Sequence, residues 1–368
     1  MAKKRALVAM SGGVDSSVAA GLLKDQGYEV VGATLQVWDY SKNAKKEGYG
    51  TCCSSVDVED ARAVCRILDI PFYVINCEDY FEKTVITPFV RDYLSGKTPV
   101  PCTNCNTFIK FHYLIDKMKE LDCDYLATGH YASVKPLESG RYGLFVSEDP
   151  LKDQTYFLFT IDPKILPKLL FPLDSLKKEE VRDIALKKAL PVFNKKDSTG
   201  ICFASAGGSY REFIEERLSR YPEKNSQRKG KIKRYPSGEI LGEHEGIHYF
   251  TIGQRKGLGV SYSNKPLYVV KIDEKTKEVW LGEEKFLYSC EAEVEDLHFL
   301  DEVKEGEKLD VKVRFHHPGA PAVIHKTPQS FLLKFLEPQK AVTPGQSAVF
   351  YRGTQLVGGG VITKGLSL

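Results

Sequence analysis

Residues 6–18 read ALVAMSGGVDSSV: an apolar run, a double glycine, then apolar residues recurring every four positions. Ala6–Met10 has the composition of a buried strand, and Val14, Val18 and Leu22 share one face of a helix ending near Gly27. A strand that feeds a helix through Gly12-Gly13 lets the backbone come close to a ligand, because no Cβ obstructs it. Several N–H groups then converge at a helix start, which favours an anion, and the helix dipole adds to the attraction. Ser16 and Ser17 can add hydroxyl donors, and Asp15 can hold a magnesium ion. A phosphate loop of the form GxxxxGKS/T uses its lysine to reach a transferred γ-phosphate. No lysine stands in Ser11–Ser17. The expected ligand is therefore the pyrophosphate part of ATP, with attack at the α-phosphorus. A tight turn with a serine cap is the plainer alternative, which the whole string between a strand and a helix disfavours.

Outward from this turn, strands and helices alternate. Glu29–Leu35, Phe72–Ile75 and Tyr125–Ala127 read as strands, while Asp57–Leu68, Phe81–Leu94, Phe108–Leu121, Glu179–Leu190 and Tyr210–Arg220 read as helices. Such alternation argues for an α/β domain with a parallel sheet, whose ligands sit beyond the carboxyl ends of the strands. SGGVDSS, LQVWD and ATGHYA all follow strands in this way. From about Gly230 the texture changes to short alternating runs between turn signals. In LDVKVRF (309–315) the apolar residues fall on odd positions and Asp310, Lys312 and Arg314 on even ones, a strand with one charged face. The expected organisation is an α/β domain over 1–208, a small central domain over 209–284 and a C-terminal β-barrel or sandwich over 285–368.

The 368 residues are enough for two or three domains of roughly 100–200 residues each. No apolar run approaches the ~18 residues of a membrane span, and the run after MAKKR is cut by Gly12, so it reads as a strand and not a secretory leader. A cytoplasmic setting without a membrane partner is expected. The net charge of +3 neither demands nor excludes a polyanion, so local clusters must decide. Nine cysteines in a reducing compartment are expected as thiols, special ones being chemical and not staples.

Two thiols stand out by their surroundings. TPVPCTNCN (98–106) and DSTGICFA (197–204) set Cys105 and Cys202 among turn residues and small polar groups, whereas Cys65 and Cys77 lie in apolar periodic segments, as inert buried cysteines do. Cys105 stands just before a helix start expected at Asn106–Lys110, and Cys202 follows Thr199-Gly200. The pair Cys102 and Cys105 could be half a zinc site with Cys52-Cys53, but a second CxxC or CxxH is missing. Cys52-Cys53 can equally line a nucleotide cleft or have no role. Cys123 and Cys290 read as filler.

SGGVDSS resembles the pyrophosphate-loop signature of the N-type ATP pyrophosphatases, which adenylate a carbonyl oxygen and release pyrophosphate. Over essentially the whole chain the sequence resembles the tRNA-specific 2-thiouridylase family. The resemblance rests on SGGVDSS, CCS followed by DVEDAR, CNTFIKF (105–111), ATGHYA, LKDQTYFL, DSTGICF, GQRKGLG, VRFHHPGAPA and PGQSAVFY. It implies a fold like the adenine nucleotide alpha hydrolases and ATP-dependent 2-thiolation of the wobble uridine, position 34. It implies an ATP site at Ala9, Met10, Ser11, Gly12, Gly13, Val14, Asp15, Ser16, Leu35 and Gly129. Cys202 resembles the persulfide carrier and Cys105 the partner thiol, leaving a Cys105–Cys202 disulfide that needs reduction. His130, Lys152, Asp153, Gln154, Arg314, Phe315 and Gln346 match positions used for tRNA. A sulfur-donor protein and the tRNAs for Lys, Glu and Gln are implied partners. This chain has the CxxC form, so Cys102, Cys105 and Cys202 could instead hold a [4Fe-4S] cluster with one open iron that binds hydrosulfide.

Arg228, Lys229, Lys231, Lys233 and Arg234 crowd around Gly230, with Lys187-Lys188 and Lys195-Lys196 not far away in sequence. Alone such a run is a solvated face; beside a nucleotide site it favours phosphate contact. Asp153 can also cap a helix at Gln154–Phe159, and His130 could be a satisfied core histidine. The rival functions are an ATP pyrophosphatase that installs nitrogen and needs no paired thiols, thiolation at another tRNA position, and an RNA-binding protein with a dead nucleotide fold.

Overall fold

Strand β1 (Arg5–Ala9) is fully buried along Ala6, Leu7 and Val8, and helix α1 (Val14–Asp25) follows after four residues. In chain order come β2 (Glu29–Gln36), α2 (Ser55–Ile67), β3 (Phe72–Asn76), β4 (Tyr125–Ala127), the hairpin β5 (Ser133–Pro136) and β6 (Tyr142–Phe145), and β7 (Leu169–Leu170). The computed structural model describes residues 3–37, 55–197, 200–204, 209–222, 228–260, 265–327 and 330–366. Cys52-Cys53 lie outside the described residues.

The chain divides into two units. The first comprises Met1–Ile86, Pro101–Tyr210 and Thr354–Leu356; the second comprises Thr87–Val100, Arg211–Gly353 and Val357–Leu368. In the first, a parallel sheet runs in the order β3-β2-β1-β4-β7. The chain steps outward from β1 to β2 and β3, then returns to β4 on the other side of β1. The β1/β4 gap is thus a topological switch point, where the carboxyl ends open a crevice. The apolar face of α1 (Val14, Val18, Leu23) packs on this sheet with Val64 and Cys65 of α2 and Val181 and Ala185 of the helix Lys178–Lys187.

Three helices differ from the sequence expectation, one of them because the run expected at 210–220 stops at Glu215 and continues as a 3-10 turn at Leu218–Arg220. The run expected at 81–94 is wound as α-helix at Glu78–Phe81, as a π-turn at Glu82–Ile86 and again as α-helix at Thr87–Leu94. The run expected from Phe108 begins at Pro101 and is wound as a π-helix over Cys105–Tyr113 before the α-helix Leu114–Glu120. Pro101 suits a first helical turn, since its missing N–H has no partner there and its φ is preset.

The second unit is mostly β. Strands β8 (Gly230–Arg234), β9 (Ile240–His244), β10 (Tyr268–Asp273) and β11 (Glu278–Gly282) form a sheet in the order β10-β11-β8-β9 over Ile232, Val269, Val279 and Leu281. Strands β12 (Tyr288–Phe299), β13 (Lys308–Lys312), β14 (Ala320–Lys326), β15 (Phe331–Lys340), β16 (Ser347–Arg352) and β17 (Gln355–Leu366) run β12-β15-β14-β13-β16-β17, and β17 pairs back with β12 to close a barrel. The odd positions Leu309, Val311 and Val313 point into it, as the alternation requires. Among the described residues no helix is long and apolar enough to cross a membrane.

Candidate active site

The turn after β1 is shaped by a close approach. Gly12 has φ +69°, and a Cβ there would stand 2.2 Å from the Asp57 carbonyl oxygen of α2. Gly129, just past β4, is as constrained: a Cβ would lie 2.6 Å from the Ser16 backbone nitrogen. The switch point therefore presses the two strand exits together: Asp15 and Ser16 lie against Gly129, while Ala9 ends β1, Met10, Ser11, Gly12 and Gly13 form the turn and Val14 begins α1. Leu35 lies near the carboxyl end of the adjoining β2, paired in register with Ile75. Gly13 caps α1 without a side-chain hydrogen bond. The hydroxyls point inward: Ser17 Oγ donates to Gly13 O at 2.8 Å, and Ser16 Oγ accepts from Ser11 N at 3.1 Å.

Two lysines far away in the chain reach the loop. Lys178 Nζ donates to Asp15 Oδ1 and Oδ2 at 2.7 and 2.8 Å, and the Tyr131 hydroxyl donates to Asp15 Oδ1 at 3.0 Å. Lys195 Nζ donates to the Gly12 carbonyl at 3.0 Å, to Asp57 at 2.6 Å and to Asp60 at 2.5 Å. Burial lowers the Lys195 pKa, but hydrogen bonds from its ammonium to the two carboxylates outweigh this and raise it. Lys195 is thus tied into the site and is not part of a solvated face. Asp15, expected as an open magnesium ligand, is engaged by an ammonium group.

Asp197 joins the same network, bonded by Lys152 and Lys178 at 2.7 Å each. Burial pushes its pKa up, but these two cations more than offset that and leave it below the ordinary value. Asp153 accepts from the Thr155 N–H and hydroxyl, but it is not the expected helix cap: the helix is a three-residue 3-10 turn at Thr155–Phe157 whose N-cap is Gln154, with no side-chain cap bond. Gln154 and Tyr131 exchange two hydrogen bonds through Gln154 Oε1 and both backbones. His130 is buried and held well below its ordinary pKa by burial and by Lys110. Its ring nitrogens meet Thr128 Oγ1 at 2.8 Å and Lys110 Nζ at 3.2 Å. A neutral ring donates from Nδ1 to threonine and accepts from lysine at Nε2.

Residues next to the two candidate thiols, Asn104 and Phe203, touch one short element. The segment 78–86 meets the Cys105 helix through Asn104 Nδ2, which donates to Thr84 O at 3.4 Å, and through stacking of Tyr80 on Tyr113 at 5.6 Å. Phe203, next to Cys202, is buried with its ring 5.9 Å from Phe81 of the same segment. Cys105 is partly exposed, as is Cys202, and Cys102 is exposed. Because helical winding begins at Pro101, the position beside the helix start falls to Cys102, and Cys105 lies a turn inside. Among the described residues no three His, Cys, Asp or Glu side chains form a group that could hold a metal ion. The iron–sulfur set Cys102, Cys105 and Cys202 therefore stays an expectation of the resemblance. Cys65 and Cys77 are pushed up to about 12 by burial, as inert core thiols should be.

In the second unit, Arg314 and Gln346 line one cleft of about 510 Å³ together with Thr98, Thr251, Tyr268 and Lys340. Gln346 Nε2 donates to Thr98 O at 2.9 Å and Arg314 Nη1 to Lys340 O at 3.1 Å. Phe315 packs on the neighbouring His316 ring at 4.5 Å and is not among the lining residues. The basic run at 228–234 is largely neutralised: Arg228 pairs with Glu215, Lys229 with Glu245, Lys233 with Glu278 and Arg234 with Glu239. Its pull on phosphate is weaker than the sequence indicates.

Residues 4–206 match the tRNA methyl transferase HUP domain family, 213–283 the tRNA methyl transferase PRC-barrel domain and 289–362 the aminomethyltransferase beta-barrel domain. A tRNA-specific 2-thiouridylase MnmA of Carboxydothermus hydrogenoformans is 45% identical over 368 residues, covering 99% of both chains. The chain belongs to the tRNA-specific 2-thiouridylase family. A second relative, tRNA-specific 2-thiouridylase MnmA 2 of Clostridium tetani, is 46% identical over 365 residues, covering 98% of this chain and 99% of that one. Among solved structures, a 4-thiouridine synthetase–RNA complex with bound ATP has a TM-score of 0.34 at 17% identity, covering 60% of this chain and 52% of that one.

For a member of the thiouridylase family, the sequence reading missed Lys178, Asp197, Tyr131, Asp57 and Asp60. Lys178 sits in a run, LKKEE, that reads as an ordinary helix start. Nothing local distinguishes it from Lys177, because its significance comes from a contact 163 positions away in the chain.

Proposed function

We propose that the chain catalyses ATP-dependent 2-thiolation of the wobble uridine, position 34, of tRNA. ATP seats its pyrophosphate on Ser11–Ser16, with Leu35 and Gly129 beside the nucleotide. The uridine C2 oxygen attacks the α-phosphorus, the bond to the β-phosphate oxygen breaks, and pyrophosphate leaves. The terminal sulfur of a Cys202 persulfide attacks C2. Cys105 thiolate then attacks the Cys202 sulfur; the sulfur–sulfur bond breaks and its electron pair stays with the sulfur on C2. AMP leaves, 2-thiouridine forms, and a Cys105–Cys202 disulfide remains for an external thiol to reduce. Magnesium arrives with ATP and would take Asp15 as its protein ligand, shielding phosphate charge. The wobble base must leave its stack to reach this crevice.

The observation that carries this reading is the docking of Lys195–Asp197, the segment leading to Cys202, on the pyrophosphate loop. It ties the start of the Cys202 segment to the loop read as the ATP seat, which supports a shared site. Arg314, Phe315 and Gln346 in the second unit and Lys152–Gln154 in the first are taken as RNA contacts. His130, being buried, acts on RNA by orienting Lys110 and Thr128. A division near 208 and 284, a cytoplasmic setting, a sulfur-donor protein and tRNA acceptors for Lys, Glu and Gln complete the proposal. The test is mass analysis of nucleosides from tRNA incubated with protein, ATP and a sulfur source. 2-Thiouridine is expected, and its absence with a competent donor would defeat the assignment.

A further inference from the structure

The helix Lys178–Lys187 offers Lys178 and Arg182 one turn apart on the same side. Both grip the segment that leads to Cys202. Arg182 donates to the Phe193 carbonyl at 2.8 Å, to the Lys195 carbonyl at 3.0 Å and to Asp197 Oδ1 at 3.4 Å. Lys178 Nζ, whose side chain is 11% exposed, sits between two carboxylates, 2.7 Å from Asp15 Oδ1 on α1 and 2.7 Å from Asp197 Oδ1. The segment is thus fastened to the pyrophosphate loop at two points: Lys195 to the Gly12 carbonyl, and Asp197 through Lys178 to Asp15. Five positions after Asp197 comes Cys202.

We propose that Lys178 is a positioning residue that transmits occupancy of the pyrophosphate loop to the segment carrying Cys202. The inference rests on the reading of Ser11–Ser16 as the seat of the ATP phosphates. A triphosphate at the start of α1 brings several negative charges beside an ammonium group shared by two single carboxylates, and competes for it. When Lys178 turns to phosphate, Asp197 keeps Lys152 and Arg182 but loses its tie to the loop. One of the two fastenings opens, and the Cys202 segment gains freedom to approach the nucleobase. Sulfur transfer is thereby ordered after nucleotide binding by electrostatic competition.

The experiment is trace alkylation of the full chain with iodoacetamide, read by peptide mass analysis at Cys202, with Cys290 of the second unit as internal reference. A non-hydrolysable ATP analogue or inorganic pyrophosphate is added at a saturating level established by direct binding. Filling the loop is expected to raise the Cys202 labelling rate roughly fivefold, the scale of one partly buried ion pair. Asp197→Asn should label fast with or without nucleotide and bind nucleotide up to about fivefold more tightly, because the coupling is reciprocal. Lys178→Gln should lose the response and Lys178→Arg should restore part of it, which a merely structural role would not do. An unchanged wild-type Cys202 rate at saturating nucleotide overturns the proposal without any variant, as does a full response in Asp197→Asn. If the nucleotide does not bind at all, the reading of the loop fails first, and the inference with it.

Discussion

Cations are used in opposite ways at the pyrophosphate loop and in the cleft of the second unit. Around the loop, Lys178 and Lys195 are withdrawn from solvent and fixed between carboxylates from α1, α2 and the Asp197 segment. In the cleft, Arg314 is exposed and donates to a backbone carbonyl, while Lys340 reaches Glu284 at the open surface. Buried pairs are little screened and need little reorganisation when charge develops nearby. Exposed cations are screened by salt and gain by displacing counterions from a polyanion. The first arrangement suits a charged leaving group held in one place; the second suits a long, mobile, heavily charged partner.

The largest effect should come from sulfur. Cys202→Ser and Cys105→Ser should each lower tRNA thiolation at least about a thousandfold, as removal of a nucleophile does, with tRNA affinity unaltered. Retention of thiolation by either variant would remove that thiol from the sulfur-transfer step. Next is the loop itself: Gly12→Ala and Gly129→Ala put a Cβ at 2.2 Å and 2.6 Å from backbone atoms. Nucleotide dissociation constants should rise at least about tenfold, some 1.4 kcal/mol, measured by calorimetry on the folded variants. Normal affinity in both would show that the two strand exits do not form the nucleotide seat.

The second unit should respond to salt instead. Log tRNA affinity should fall linearly with log salt, and Arg314→Ala or Lys340→Ala should shallow that slope by about 0.7–0.9 each without changing nucleotide affinity. Slopes unchanged in both variants would remove the cleft from the RNA surface and sharpen the search for another. The smallest effect is on stability. Folded Cys65 keeps its proton up to about 12, whereas an unfolded thiol loses it near its ordinary value of about 8.5–9. The unfolded chain releases its proton first, so stability should fall as pH rises above about 9, by roughly 1.4 kcal/mol per pH unit from this group. Denaturation midpoints at pH 8 and pH 10, with Cys65→Ala flattening the change, check it.

Much of this was legible in residue order. The double glycine between a strand and a helix, the alternation of strands and helices, and the odd-even pattern of LDVKVRF are local periodicities, and local backbone sterics and face burial act at that range. The partial exposure of Cys105 and Cys202 could also be read from the small polar residues around them, although Cys105 lies inside a helix and not in a turn. The π-wound helix from Pro101 could not, since its apolar spacing resembles an α-helix and its start lies in what reads as a turn. Nor could the cancelling of the basic run at 228–234, whose acids come from Glu215, Glu239, Glu245 and Glu278.

What the sequence determined by itself was a glycine-rich turn from strand to helix that carries no lysine. Only the tertiary structure decided that Lys178 and Lys195, far away in the chain, would bond to Asp15 and to the Gly12 carbonyl of that turn. The physical reason is range: an ammonium group acts on whatever lies within a few ångströms of it, and chain order does not state those distances until the sheet brings distant segments together.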